Sequence, residues 1–163
     1  MQANHQLHFL QQKVQELGHA LLFNLSDSVL KFPTALVSNP QLDEYGYIWF
    51  WVQKPKQDIA AFENGFPVRL DFYRKGALSY LQVSGSAWIV TDPEEILAIS
   101  QLAALPVHTD RVLLKVKMEG ADYQECEGAH THSWWNVRKQ NLFSWFRHSA
   151  GGYAAADSNF SVS

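Results

Sequence analysis

Leu7, Leu10, Val14, Leu17 and Leu21 recur at steps of three and four residues with Gln, Lys and Glu between them. That spacing predicts an amphipathic opening helix with one narrow apolar stripe, suited to lie across a sheet edge or a barrel mouth. After Asn24 the period shortens: Val29–Phe32 and Thr34–Ser38 read as short strands parted by Pro33, which cannot donate a ladder hydrogen bond. A turn over Asn39–Glu44 leads into the aromatic strand Tyr47-Ile48-Trp49-Phe50-Trp51-Val52, and Asp58–Asn64 reads as a short helix closed by Gly65.

Two long strands follow. Val68, Leu70 and Phe72 alternate with Arg69, Asp71 and Tyr73, while Leu81, Val83, Gly85, Ala87 and Ile89 alternate with Gln82, Ser84, Ser86 and Trp88. Arg74-Lys75-Gly76 between them supplies a turn, so an antiparallel hairpin is expected. Asp92-Pro93-Glu94-Glu95 starts a helix that should run to Ala104: Asp92 can cap exposed amides, Pro93 suits the first helical position, and Glu95 can complete the capping arrangement. Val112, Leu114, Val116 and Met118 then alternate with Arg111, Leu113, Lys115 and Lys117 in a long half-buried strand. Beyond it come a loop to Ser133 and an aromatic segment from Trp134 to Phe146. Strands in this order make a mainly antiparallel α+β sheet. With roughly six to seven strands, and curvature from Gly46, Gly76 and Gly85, it can close into a small barrel.

Composition refines this picture in three places. A length of 163 residues suits one full core, so residues 1–148 are expected to form a single domain and 149–163, small and polar, a disordered tail. The aromatic fraction of 13% is high and demands a core or an interface rich in rings. The formal charge of −3, with no basic run, argues against a nucleic-acid partner. A lone cysteine, Cys126, cannot close an intramolecular disulfide, and no apolar run approaches the length of a membrane span; a cytoplasmic protein is the expectation.

Chemistry concentrates around the aromatic strand. Its rings are followed at once by Gln53-Lys54-Pro55-Lys56, so planar side chains and two cations could hold an aromatic, phosphorylated ligand. Trp49 and Trp51 share one strand face, and the bland reading for them is core or dimer-interface packing. Lys54 reads as a solvated turn charge. Cys126, His130 and His132 lack the paired spacing of a structural zinc site, although His130 and His132 leave haem or metal binding as a third idea. No Ser-His-Asp order, paired catalytic carboxylates or Gly-rich phosphate loop stands out, and no catalytic acid or base is assigned.

Taken together, the opening helix, Thr34-Ala35-Leu36-Val37-Ser38, Gly46-Tyr47-Ile48-Trp49-Phe50, Lys56 before a short helix, Phe66-Pro67-Val68-Arg69-Leu70 and Val83-Ser84-Gly85-Ser86-Ala87 resemble the FMN-binding split-barrel family related to pyridoxamine 5'-phosphate oxidase, in its general-stress-protein branch. The resemblance covers residues 5 to 127. It implies a homodimer of split barrels with FMN at the subunit interface and an oxidoreductase of unknown substrate. Carried over by position, it implies that Phe50, Trp51, Val52 and Gln53 line the flavin ring, that Lys56 faces the phosphate, and that Lys31 and Thr34 assist.

Two positions depart from that pattern. The family's arginine falls at Phe32, and the hydroxyl expected after the Trp-Phe pair is Val52. A lysine at 31 lacks the planar fork with which an arginine grips phosphate. The alternative is therefore a split-barrel dimer without cofactor, acting as a binding or stress-related module. The Trp134–Phe146 segment is expected at an interface.

Overall fold

The computed structural model describes residues 2–29, 31–102 and 110–125. In chain order these form α1 (Gln2–Leu17), β1 (His19–Asn24), β2 (Ala35–Ser38), β3 (Gln41–Leu42), β4 (Tyr47–Gln53), a 3-10 helix (Ile59–Phe62), β5 (Phe66–Phe72), β6 (Ser79–Val90), α2 (Pro93–Leu102) and β7 (Arg111–Glu125). Every strand pairing is antiparallel, in the order β2-β1-β5-β6-β7-β4-β3. The sheet curls until β2 and β4 approach each other, yet no ladder joins them among the described residues. The result is an α+β split barrel whose gap lies between β2 and β4.

The opening helix buries Leu7, Leu10, Val14 and Leu17 as its stripe requires. It stops before Leu21, contrary to the expectation. Gly18 adopts φ +72°, and its N–H donates to the Val14 carbonyl at 3.0 Å, a left-handed cap that ends the helix. The next residues turn to period two: Ala20 and Leu22 enter the core while Leu21 stays half-buried on the outside. The resulting β1 pairs with both β2 and β5. Steps of three and four happen to continue through Leu21, which is why the pattern extended the helix.

Among the described residues, the strand expected over Val29–Phe32 does not form. Val29 is fully exposed and Lys31 exposed, whereas Phe32 is buried; none of these described residues joins a ladder, and the inward ring and a hydrogen bond to the Lys31 carbonyl hold the segment. Within the Asn39–Glu44 turn, Gln41–Leu42 pairs briefly with β4 as β3. The helix expected over 58–64 is the 3-10 turn Ile59–Phe62, with Asp58 Oδ1 accepting from the Ala60 N–H at 3.1 Å. Asp92 caps α2 as expected, accepting from the Glu94 N–H at 2.9 Å. Glu95 does not return to complete that cap; it takes the Lys115 ammonium at 2.9 Å and so ties α2 to β7.

The predicted hairpin forms, with Phe72 opposite Leu81 and Phe66 opposite Ala87. Along β4 the alternation sorts the rings. Ile48, Phe50 and Val52 fill the barrel interior, while Trp49 and Trp51 pack outward with Val90, Leu113, Ile96 and Ile99 beneath α2. Both tryptophans are thus largely buried against a second apolar cluster within the chain. Among the described residues no helix is long and apolar enough to cross a membrane. Cys126, His130, His132, the Trp134–Phe146 segment and the 149–163 tail lie outside the described residues.

Candidate binding cleft in the split of the barrel

Because β2 and β4 approach without pairing, a cleft of about 790 Å³ opens between them. One wall is Pro33, Thr34, Ala35, Leu36 and Ser38. The other is the end of β4, Trp51-Val52-Gln53, followed by Lys54-Pro55-Lys56-Gln57, with Arg111 at the start of β7. Its volume falls in the range of sites that hold drug-sized ligands.

The backbone explains why these residues meet. Gln53 stands directly opposite Arg111 in the β4–β7 ladder, and directly opposed residues in an antiparallel pair send their side chains to the same face. The Lys54 N–H donates to the Asp110 carbonyl at 3.2 Å, extending that pairing one residue past the strand. Gln57 Nε2 donates to the Lys31 carbonyl at 3.3 Å, which clasps the segment before β2 to the loop after β4. The 3-10 helix then anchors the loop from its other end through Phe62, which is buried against Phe32 and Phe66.

Of the seven residues proposed from the sequence, the cleft gathers Thr34, Trp51, Val52, Gln53 and Lys56. It does not gather the other two. Phe50 points into the barrel core with 0% exposure; a residue beside Trp51 in a strand must face the opposite way. Lys31 is exposed and contributes its carbonyl, not its ammonium, to the clasp. Val52 is 2% exposed and borders the cleft from the core side.

The position of Phe32 has a physical cause. Its ring stacks on Phe66 at 5.5 Å and 11° and meets Phe62 edge-on at 5.4 Å and 73°. This aromatic trio belongs to the main buried cluster and none of its rings lines the cleft, so position 32 serves the core.

Sequence reasoning missed Arg111, Ser38 and Gln57, and it read Lys54 as a solvated turn charge. Arg111 lies 58 residues beyond Gln53, reckoned as 111 − 53, and only the ladder register joins them. The three cations Lys54, Lys56 and Arg111 line the cleft with no carboxylate among the lining residues. Among the described residues none of the three forms a salt bridge. A chain of net charge −3 therefore presents a locally cationic cleft. With Thr34, Ser38, Gln53 and Gln57 as neutral hydrogen-bonding groups and Trp51, Val52, Leu36 and two prolines as apolar surface, it can accept a ligand with a planar apolar part and an anionic end.

No known family profile matches the sequence, and no curated protein does. Solved structures do. The general stress FMN/FAD binding protein from the phytopathogen Xanthomonas citri superposes with a TM-score of 0.55 at 25% identity, over 77% of this chain and 91% of that one. Its fold is that of the general-stress-protein split barrels. A second such barrel, a protein from Clostridium acetobutylicum related to general stress protein 26 and assigned to the pyridoxinephosphate oxidase family, superposes with a TM-score of 0.53 at 14% identity, over 77% of this chain and 88% of that one. The split-barrel architecture is thus shared where sequence identity has almost vanished, because the alternating inward positions need only be apolar and of suitable size.

Proposed function

We propose that the cleft between β2 and β4 binds FMN and that this chain is an oxidoreductase of the pyridoxamine 5'-phosphate oxidase-like class, with unknown substrate. The observation that carries this reading is the cleft's division of labour: an apolar wall at Trp51, Val52 and Leu36 beside a carboxylate-free group of three cations, in a fold shared with a flavin-binding stress protein. The residues fit the group. Trp51, Val52 and Gln53 would border the ring system, while Lys56 and Thr34 would hold the phosphate by charge and hydroxyl donation. A bound flavin supplies hydride or electron transfer, and the protein supplies binding, orientation and exclusion of water.

Titration with FMN tests the reading. At about a hundredfold excess over Kd, binding stabilises the folded state by about 2.7 kcal/mol. For a chain of this size that raises Tm by roughly 5–10 °C, together with quenching of flavin fluorescence. Neither signal appearing would remove the flavin role.

A second reading has its own support. Phe32, 2% exposed in the aromatic trio, and Val52, which carries no hydroxyl, stand where the family resemblance implies phosphate ligands. A split-barrel dimer without cofactor, acting as a binding or stress-related module, accommodates both. It requires colourless protein, and a preparation that purifies yellow with tightly held FMN excludes it.

Self-association belongs to both readings. Leu36, Tyr73 and Leu78 are 62%, 47% and 66% exposed, and a second copy of the chain would cover such rings and aliphatic groups. Sedimentation at micromolar concentration should give the dimer mass; a monomer alone would refute it. A cytoplasmic location completes the reading, resting on the lone cysteine.

A further inference from the structure

We infer that Arg111 is the phosphate-recognising guanidinium of the cleft, supplied from β7 because position 32 on the opposite wall has been given to the core. This inference rests on the flavin reading above and assigns a residue that the family resemblance does not indicate. Three observations converge on it. Phe32 is sealed between Phe62 and Phe66 and offers the cleft nothing. Arg111 stands opposite Gln53 with its side chain on the same face, and both line the cleft. Its backbone is fixed by the ladder and by the adjacent bond from the Lys54 N–H to the Asp110 carbonyl at 3.2 Å.

The chemistry favours Arg111 over its lysine neighbours. A guanidinium presents parallel N–H donors that match two phosphate oxygens, whereas an ammonium acts as a point charge. Arg111 is exposed and forms no salt bridge or side-chain hydrogen bond among the described residues. It therefore gives up no existing ion pair there on binding an anion, so the gain from the phosphate is not offset by a broken bond. Lys54 and Lys56 then add charge on the same rim.

The experiment compares FMN with riboflavin, which carries the same ring system without phosphate, using flavin fluorescence to measure Kd for the wild type, Arg111→Ala and Arg111→Lys. Loss of a bidentate charged contact should weaken FMN binding roughly tenfold to a hundredfold in Arg111→Ala, with riboflavin affinity unchanged within about twofold and Arg111→Lys falling between. Unchanged thermal unfolding of the ligand-free variants would confirm that an exposed side chain was removed without structural damage. If FMN and riboflavin weaken equally, Arg111 contacts the ring and the inference is overturned. If neither weakens, Arg111 has no role in the cleft and the inference fails while the flavin reading stands. Wild-type protein that binds neither flavin overturns both.

Discussion

Replacing Phe32 separates a core residue from a displaced ligand position. The ring is 2% exposed, and burying a phenylalanine is worth about 1.5–3 kcal/mol. It also makes a stacked contact with Phe66 at 5.5 Å and an edge-on contact with Phe62 at 5.4 Å, each worth about 0.5–1.5 kcal/mol beyond area. These sum to roughly 2.5–6 kcal/mol, bracketing the ~3–5 kcal/mol typical of Phe→Ala in a core. Phe32→Ala should therefore lower the unfolding free energy by about 4 kcal/mol, a large part of the total for an ordinary domain. Phe32→Arg should do at least as much damage, because the guanidinium would enter a pocket of rings without a partner. Urea unfolding of both variants provides the assay, with the denaturant slope checked for constancy. A loss below about 1 kcal/mol in Phe32→Ala would refute the core assignment. So would a Phe32→Arg variant that folds normally and binds FMN more tightly, since position 32 would then face the cleft.

Three further outcomes can be checked. Gly65 has φ +74°, and an added Cβ would lie 2.5 Å from Trp88 Nε1; Gly65→Ala should cost about 2 kcal/mol or more and lower Tm by at least ~4 °C, and an unchanged Tm would show that the turn can relax. Lys56→Ala, at an exposed cleft residue, should weaken FMN binding about tenfold while sparing riboflavin, and equal loss for both ligands would remove its assignment to the phosphate. Tyr80 and Tyr123 titrate above the ordinary phenol value, chiefly because burial penalises the phenolate, with Asp71 beside Tyr80 and the bond to Glu125 adding to the effect. Folding then holds protons that the unfolded chain releases near pH ~10, so stability is fully present below that pH and declines as pH rises through the folded values. Tm measured from about pH 9 to 11 should fall more gently in Tyr123→Phe than in the wild type, and parallel curves would refute the linkage.

Much of the barrel was legible from local pattern. The β5–β6 hairpin, the Asp92 cap and β7 each follow from alternation or capping chemistry confined to a few neighbouring residues. Where reading failed, two local signals competed. Leu21 continued the helical spacing although Gly18 had ended the helix, and Glu95 had a cap to complete but found Lys115 across the fold. For the cleft, Lys56, Gln53 and Thr34 were reachable because they sit beside the aromatic strand or carry a family position. Phe50 was carried over with its neighbours, although strand alternation turns it inward.

The sequence by itself determined which residues pair in alternation, where most helices begin, and that rings and cations would lie close together after β4. These are matters of period and neighbouring side chains, settled within about ten residues. Only the tertiary structure decided that Phe32 belongs to the core and Arg111 to the cleft. The first depends on Phe62 and Phe66 converging from two other elements, and the second on the register that sets Gln53 opposite Arg111. Register and closure arise when the sheet curls and buries its inward face, so they are properties of the assembled barrel and of no single segment.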